Sequence, residues 1–357
     1  MKREVKRIPM PVRYFINAAL LLAFLLAVNY LIGNKTISGF NAKIIMLIGI
    51  NIILTVSLNV ATGYLGQLPL GHAGFMAVGA YASAILMKRM GGSALGMFFI
   101  GRGFEKAAME ATIFPLGMLF GGLVAALFGL IIGIPALRLK GDYLAIITLG
   151  FGEIIRVVIL NIDSVLGFPL TYGAASLKGI PKTTGFLNTY IVVILICFAI
   201  HTMMKSRHGR AILSIRENEI AAESCGIKTT YYKTLGFVAS AFFAGVAGSL
   251  YAGYLGLLSP GSFGFMKSIE ILVMVVLGGM GSMAGSVISA TVLTALPQIL
   301  LAFDKWRMVV YSLVLIIVMI FKPSGLMGTY DFSLSRLLEK AWNRLAFGKK
   351  TEKGGAR

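Results

Sequence analysis

Long apolar stretches separated by short polar segments dominate the chain. A helix that spans a bilayer needs roughly 20 mostly apolar residues, and ten stretches of the sequence approach that length. The pattern therefore predicts an all-α, polytopic membrane helical bundle with about ten transmembrane helices. The candidate spans are 14–33, 42–60, 72–88, 113–136, 143–160, 187–204, 231–256, 267–281, 284–303 and 307–321.

The longest apolar run, from Ile269 to Phe303, is too long for one spanning helix. As a single helix it would measure about 50 Å, against a hydrocarbon core of about 30 Å. The glycine-rich sequence GGMGS (278–282) lies near its middle. We therefore predict a tight turn there, with a shorter span on each side.

The composition fits a membrane protein better than a soluble one. Hydrophobic residues make up 57% of the chain and charged residues 13%, whereas soluble domains contain about 25% charged residues. The net charge of +19 does not indicate nucleic-acid binding, because the basic residues lie mainly between the apolar runs and at the two ends. That distribution is the positive-inside signal of membrane topology. It predicts both termini in the cytoplasm. The count of ten spans then puts segment 88–112 on the outer side, although the segment contains Lys88, Arg89, Arg102 and Lys106.

These signals divide the chain into three parts. Residues 1–13 are predicted to form a cytoplasmic N-terminal segment, since the following run is long enough to span and no small-residue cleavage site follows it. Residues 14–321 form the predicted transmembrane permease domain. Residues 322–357 form a basic cytoplasmic tail, which is expected to contact lipid headgroups.

Two fourteen-residue segments form an internal repeat. GYLGQLPLGHAGFM (63–76) and GYLGLLSPGSFGFM (253–266) agree at nine of fourteen positions. The copies are five predicted spans apart, so the first is expected at the inner face and the second at the outer face. This arrangement predicts a 5+5 inverted repeat, a common plan of transporters. Chance reuse of a glycine-rich turn is the alternative.

The glycines and prolines of the two copies predict broken helices. Irregular backbone survives at membrane depth only where it is buried or lines a cavity. Broken segments in matching halves of a transporter indicate the solute site. The predicted substrate pathway comprises Gly63, Tyr64, Gly66, Gln67, Pro69, Gly71 and His72, with Tyr254, Ser259 and Pro260 opposite them.

A few ionisable residues lie inside predicted spans, where charge is costly. Glu153 and Arg156 are three residues apart and share a helix face. This intramembrane charge pair either gates the pathway or orients the helix. Glu270, near the start of a span, is expected to reach the interface. His72 is either a proton relay or a hydrogen-bonded structural residue.

The sequence contains no recognisable catalytic or metal-binding motif. Cys197, Cys225 and three scattered histidines do not have the spacing of a zinc or haem site. We find no Ser-His-Asp cluster, no HExxH and no phosphate-binding loop. We therefore expect no catalytic residue, no metal and no cofactor in this chain. If ATP drives the protein, ATP and Mg²⁺ are bound by partner subunits.

Residues 205–230 form the one sizeable polar segment between predicted spans. Residues at three- and four-residue steps give it a helical pattern, which predicts a short helix, and Gly226 is expected to end that helix. Arg216 and Glu217, beside Asn218, predict a charged, exposed face. The segment is either a solvated connector or a helix that docks into a partner. The positions that define the helical spacing are Ile212, Ile215, Glu219 and Ala222.

Four stretches of the chain are distinctive. They are SLNVATGYLGQLPLGHAGFMAVGAY (57–81), LRLKGDYLAIITLGFGEIIR (137–156), GRAILSIRENEIAAESCGI (209–227) and VVLGGMGSMAGSVISA (275–290). They resemble the LivM-type permeases of the branched-chain amino acid ATP-binding-cassette importers. Together the four stretches are highly specific, and the resemblance runs from about residue 45 to residue 328.

The resemblance implies that residues 209–227 are the coupling loop that meets the ATPase. The family pattern Glu-Ala-Ala, three residues, Gly is present here with Ile220 in place of the acid. The implied partners are two ATP-binding subunits, a second permease subunit of the LivH type and an extracytoplasmic solute-binding protein, in the inner membrane of a prokaryote. The implied coupling residues are Arg210, Arg216, Glu217, Asn218, Glu219, Ala221, Ala222 and Gly226.

The sequence departs from the family pattern in three places. Pro69 stands where serine is usual, and Tyr172 and Ser176 stand where glycine is frequent. Residues 89–112 are longer and more polar than usual. The first two departures lie near the expected pathway or the face for the binding protein, so they bear on the identity of the solute more than on the class of transporter.

The function predicted from the sequence is the import of leucine, isoleucine and valine, or of a closely related small solute, driven by ATP. Substitution of Arg216 and Glu217 is then expected to uncouple ATP hydrolysis from uptake. One alternative is an importer for urea or amides of the same family. Another is an ion-coupled secondary transporter that works alone, with Glu153, Arg156 or His72 as relay groups. A membrane-embedded enzyme is disfavoured by the lack of an acid, base or metal cluster.

Overall fold

The computed structural model divides into two compact units, Met1–Gly39 with Tyr330–Arg357, and Phe40–Thr329. In the first unit, residues 25–33 are helical. Much of the predicted first span, much of the 88–112 segment and the basic tail after residue 326 lie outside the described residues. The described residues are 22–23, 25–34, 36, 38–91, 106–139, 141–168, 170–300, 306–322 and 325–326.

The second unit is built of α-helices joined by short connections. Two short strands, β1 (Leu177–Lys178) and β2 (Leu257–Leu258), pair antiparallel, with Leu177 opposite Leu258. The helices are α1 (Gly39–Asn59), α2 (His72–Gly91), α3 (Lys106–Ala136), α4 (Asp142–Leu166), α5 (Phe186–Lys205), α6 (Arg207–Glu217), α7 (Glu219–Ser224), α8 (Thr229–Leu255), α9 (Phe265–Gly278), α10 (Met283–Ile299) and α11 (Arg307–Phe321).

Six helices of the described residues are long and apolar enough to cross a membrane. They contain α1, α3, α4, α5, α8 and α9, and α2, α10 and α11 coincide with further predicted spans. The predicted all-α polytopic membrane bundle is therefore confirmed. The total of ten spans, the domain boundaries and the side of the membrane on which the termini lie stay predictions.

The glycine-rich turn predicted within the long apolar run is present. Helix α9 ends at Gly278, and the φ angles of Gly279 and Gly281 are +105° and +85°, which residues with a Cβ rarely adopt. The Ser282 hydroxyl then accepts a hydrogen bond from the Gly285 N–H at 3.1 Å and caps α10. These local features explain why the helix stops inside an apolar sequence.

Each copy of the repeat interrupts a helical path, as the sequence predicts. In the first copy, a π-helical segment, Val60–Tyr64, leads into non-helical backbone before α2 begins at His72. In the second copy, α8 ends at Leu255 and α9 begins at Phe265.

The two copies lie at opposite ends of α8. Leu65 of the first copy contacts Gly236, near the start of α8, whereas the second copy begins in the last turn of the same helix. We call these the first-copy end and the second-copy end of the bundle. Lys88, at the end of α2, donates a hydrogen bond to the Lys178 carbonyl oxygen at 3.3 Å, next to the second copy. This opposite placement is what an inverted repeat requires.

The core is centred on α8, which packs on α2 and α3 through glycines. Gly79 of α2 lies directly against the backbone of Gly245. Gly121 of α3 lies against the Ser249 hydroxyl and the Gly79 carbonyl. Helices in a bilayer associate largely through such close van der Waals packing, which small residues permit.

The loop that follows α4 is held by one carboxylate. Asp163 Oδ1 accepts hydrogen bonds from the backbone N–H groups of Leu170 and Thr171, both at 2.8 Å. Further along the loop, Tyr172 and Ser176 adopt φ angles of 59° and 66°. These are the two positions at which the resembling family frequently has glycine. Residues with a Cβ are strained in this conformation. The two departures from the family pattern therefore raise the free energy of the folded backbone.

Replacing Ser176 with glycine is expected to stabilise the protein by about 1 kcal/mol, because glycine adopts a φ of 66° without steric strain. The midpoint of thermal unfolding of the purified chain in detergent measures this effect. Ser176→Ala is the matched control, since it removes the hydroxyl but keeps the Cβ. An equal gain in both variants would show that backbone strain is not the cause.

Candidate transport pathway and coupling site

A cavity of about 420 Å³ opens at the first-copy end of the bundle. Its walls bring together the first repeat copy, helix α6 and the turn between α9 and α10. Three predicted pathway residues, Gly63, Gly66 and Gln67, face it. The complete lining is Thr62, Gly63, Gly66, Gln67, Leu68, Arg216 and Met280.

Asn59 joins the first copy to the turn before α10. This buried side chain donates hydrogen bonds to the Ser282 carbonyl at 3.1 Å and the Ser286 hydroxyl at 2.9 Å. Its Oδ1 accepts a third from the Gly281 N–H at 2.8 Å. Gly63 lies against both Asn59 and Gly281 and leaves no room for a Cβ. The sequence analysis missed Asn59, although a polar residue in an apolar span is a signal for such a role.

Arg216 connects helix α6 to the first copy. Its Nη1 donates a hydrogen bond to the Gly63 carbonyl oxygen at 2.7 Å, and its side chain packs on Gly66. Its Nη2 lies 3.0 Å from Glu217 Oε1. Glu217 is 72% exposed, as the predicted charged face requires. The Arg216 guanidinium instead reaches inward to the cavity, which the sequence pattern does not indicate.

The coupling segment folds as two short helices rather than one. Helix α6 ends at Glu217 and α7 begins at Glu219. Asn218, between them, has extended backbone and accepts a hydrogen bond from the Ala221 N–H at 3.1 Å, so it caps the start of α7. The predicted single helix is therefore wrong, because asparagine offers the backbone a capping hydrogen bond that competes with helix continuation.

The coupling segment has one buried, apolar face. Ile212, Ile215 and Ala222 are buried. Gly226 follows α7 with a φ of +81°, as expected of a glycine that ends a helix. The exposed residues among the coupling candidates are Arg210, Arg216, Glu217, Asn218, Ala221 and Gly226.

An ion pair joins α7 to α8. Lys233 Nζ lies 2.6 Å from Glu219 Oε1, and the Lys233 side chain is only 6% exposed. A buried ammonium group without a partner would be strongly destabilising, so Glu219 has a structural role beyond the predicted coupling role. The sequence analysis did not assign Lys233 to the site. The two residues are fourteen positions apart on different helices, so helical spacing gives no signal of their contact.

The remaining pathway candidates of the first copy are packed into the interior. Gly71 lies against the Thr148 carbonyl, and the Leu70 N–H donates to Thr148 Oγ1 at 3.0 Å. His72 is buried, with its Nε2 atom 2.9 Å from the Ser57 hydroxyl. This packing favours the structural role of His72 over the relay role. The candidates buried in this packed centre are Pro69, Gly71 and His72, and Tyr64 is partly buried beside it.

A second cavity, of about 480 Å³, opens at the second-copy end. The Glu153 and Arg156 side chains lie in its wall, with Arg156 Nε 2.6 Å from Glu153 Oε2. Glu153 Oε1 also accepts a hydrogen bond from the Phe265 N–H at 3.0 Å. The predicted charge pair therefore lies where α4 meets the second copy. The lining consists of Glu153, Arg156, Gly261, Ser262, Gly264, Phe265, Met266, Lys267 and Glu270.

The second copy contributes other residues to its cavity than those predicted. Tyr254 packs near Tyr251, and Pro260 is buried at the start of a 3₁₀ turn. Neither they nor Ser259 line the cavity, which is formed by the residues that follow them. The two copies also face separate cavities instead of one shared site, because they are held at opposite ends of α8.

The geometry is suited to moving a solute. Cavities open at both ends of an apolar helical bundle, and a packed, hydrogen-bonded centre at Gly71 and His72 lies between them. The described ranges contain no group of three or more His, Cys, Asp or Glu side chains that could hold a metal ion. Such an arrangement defines a multi-pass membrane permease.

The chain belongs to the family of permease components of the branched-chain amino acid transport system, whose model matches residues 40–321. The high-affinity branched-chain amino acid permease protein LivM of Salmonella typhimurium is 35% identical over 78% of this chain and 68% of that protein. The LivH permease protein of Escherichia coli is 25% identical over 77% of this chain and 90% of its own length. The nucleoside ABC transporter permease NupC of Lactococcus lactis is 24% identical over 52% of this chain and 58% of its own. No solved structure matches the chain.

Proposed function

We propose that this chain is the transmembrane permease subunit of an ATP-binding-cassette importer for branched-chain amino acids or a closely related small solute. The hydrogen bond from Arg216 to the Gly63 carbonyl supports this most directly. It connects a segment with an exposed, charged face to a cavity in the membrane domain. The similarity to LivM and LivH proteins supports the substrate class.

The proposed assembly contains two ATP-binding subunits, a second permease of the LivH type and an extracytoplasmic solute-binding protein. Arg210, Glu217 and Ala221 are exposed on α6 and α7 and offer a surface to an ATPase. Ile220, on the same surface, is 76% exposed. Burial of an exposed apolar side chain by a partner protein is favourable in free energy. ATP and Mg²⁺ are proposed to bind to the partner subunits and not to this chain, and we propose that this chain has no enzymatic role of its own. Membrane lipid, and no nucleic acid, is the further expected contact.

The proposed orientation places the first-copy end and both termini in the cytoplasm of a prokaryote, with the protein in its inner membrane. Arg138, Arg210 and Lys228, which are exposed near this end, agree with the positive-inside rule. The second-copy end then faces the solute-binding protein.

The proposed mechanism is an exchange of access between the two cavities. ATP binding by the partners displaces α6 and α7. Arg216 passes the displacement to Gly63, and Asn59 passes it on to the turn before α10. The packed centre around Gly71 then opens toward one cavity as it closes toward the other.

Copurification in mild detergent tests the assembly. The tagged chain is expected to bring down two kinds of protein identifiable by mass, an ATP-binding subunit and a second permease. In proteoliposomes, the purified complex with its binding protein is expected to accumulate leucine when ATP is supplied on the first-copy side. Uptake by the isolated chain, driven by an ion gradient and independent of ATP, would contradict the importer and support a secondary transporter. Urea and nucleosides in the same assay test the choice of solute.

A further inference from the structure

The cavity at the second-copy end contains four charged side chains that the coupling mechanism does not use. Glu153 and Arg156 extend from α4, and Lys267 and Glu270 extend from the first turns of α9. All four line one cavity of about 480 Å³, a volume within the range of small-molecule sites. Charges inside a membrane domain are costly and commonly mark the path of a solute.

The four charges form two ion pairs, one on each wall. Arg156 Nε lies 2.6 Å from Glu153 Oε2, and Lys267 Nζ lies 3.1 Å from Glu270 Oε2. All four side chains are partly exposed to the cavity. Partly exposed ion pairs contribute little stability, so a ligand with charges of its own can replace one member of a pair at small cost.

The donors of Arg156 are arranged for a carboxylate. Among the described residues, its bond to Glu153 uses Nε, which leaves the two Nη groups for a ligand. A guanidinium binds a carboxylate through two parallel hydrogen bonds. The start of α9, where the Phe265 N–H points at Glu153, adds the positive end of a helix dipole on the facing wall of the same cavity.

The same cavity offers a partner for an ammonium group and an apolar surface. Among the residues that the structure describes, Glu270 forms its ion pair with Lys267 on its own helix, one turn away. Phe265 and Met266 line the cavity between the charged walls and are 40% and 78% exposed. Lys267 Nζ also lies 3.5 Å from Asn51 Oδ1, and the buried Asn51 amide donates to Thr294 Oγ1 at 2.9 Å. These contacts extend the polar path from the cavity into the interior.

We infer that this cavity is an entry site for an apolar zwitterion. Arg156 and Lys267 receive the α-carboxylate, Glu270 receives the α-ammonium group, and Phe265 and Met266 contact the aliphatic side chain. The inference rests on the proposed function and deepens it, because it places recognition of the amino acid in the permease as well as in the binding protein.

Exchanging the two charges of the Lys267–Glu270 pair distinguishes a role in ligand binding from a purely structural ion pair. In the double variant Lys267→Glu with Glu270→Lys, the i,i+3 pair is kept but its direction is reversed. In the complete reconstituted importer, we expect leucine uptake at low concentration to fall at least about tenfold, as one lost charge contact would cause. Glu270→Gln is expected to lower uptake similarly. Wild-type uptake by the double variant would overturn the inference while leaving the importer function intact.

A thiol-labelling experiment detects ligand binding in the cavity without a transport assay. Ser262→Cys places a thiol at the cavity wall, and millimolar leucine is expected to slow its reaction with a maleimide several-fold in the assembled importer. Leucinol, which lacks the carboxylate, is expected to give no protection, and leucine is expected to give none when the charge swap is added. Equal labelling rates with and without leucine, or protection that survives the swap, would overturn the inference. Absence of uptake in the wild-type complex would instead contradict the proposed function itself.

Discussion

Replacing Arg216 with alanine is expected to lower ATP-driven uptake by at least tenfold while the proposed ATP-binding subunits continue to hydrolyse ATP. The guanidinium donates to the Gly63 carbonyl at 2.7 Å and is the side chain of α6 that lines the first cavity. A hydrogen bond from a charged donor contributes about 1.5–3 kcal/mol, which corresponds to about a 10- to 100-fold change in an equilibrium. Without it, movement of the coupling segment is no longer transmitted to the first copy. Uptake and ATP hydrolysis, measured on the same proteoliposomes, test this.

The control for this variant is Arg138→Ala. Arg138 is an exposed arginine just beyond the end of α3, also expected in the cytoplasm, and it does not line the cavity. Its removal takes away the same charge and is expected to leave both activities unchanged. Arg216→Lys is expected to recover only part of the coupling. A lysine ammonium lacks the two separate Nη groups with which the guanidinium contacts Gly63 and Glu217 at the same time. Equal losses of uptake in the Arg216→Ala and Arg138→Ala variants would contradict a specific link.

Replacing Gly79 with alanine is expected to destabilise the bundle by about 3 kcal/mol, the upper end for overpacking. A Cβ at this position would overlap the backbone of Gly245, and backbone atoms cannot rotate away as a flexible side chain can. The helices α2 and α8 must separate to accept it, which loosens the centre of the core. Thermal unfolding in detergent and the monodisperse fraction on size-exclusion chromatography measure the effect.

Gly150→Ala is the matched control for Gly79→Ala. Gly150 is also helical, but no atom lies within 4 Å of the position that its Cβ would take. Alanine favours a helix over glycine by about 1 kcal/mol, so this variant is expected to be at least as stable as wild type. If the two variants had the same unfolding midpoint, close glycine packing would not be what holds α2 to α8.

The broad architecture was predictable because it depends on local sequence. Span positions follow from runs of apolar residues, and the turn at 278–282 follows from glycines that adopt positive φ. The breaks in the two repeat copies follow from the same chemistry. These features need no knowledge of which helices are neighbours.

The contacts that build the site were not predictable, because they join segments that are distant in the sequence. Arg216 and Gly63 are 153 positions apart, and Asn59 and Gly281 are 222 apart. Judged from the residues next to it in the sequence, Arg216 is expected to be an exposed, solvated charge. Ser259 and Pro260 do not line the second cavity, because the residues that follow them in the chain, from Gly261 onward, form its wall.

Helix α8 is tied to other elements at both ends. Near its start, Lys233 is paired with Glu219, and at its far end Gly253 packs on Thr184 while β2 follows directly. Its 27 residues make a rod about 40 Å long. A tilt of about 5° at one end of such a rod displaces the other end by about 3 Å. A displacement of α7 is therefore expected to reach the second copy through α8, which would connect the two ends of the bundle by one helix.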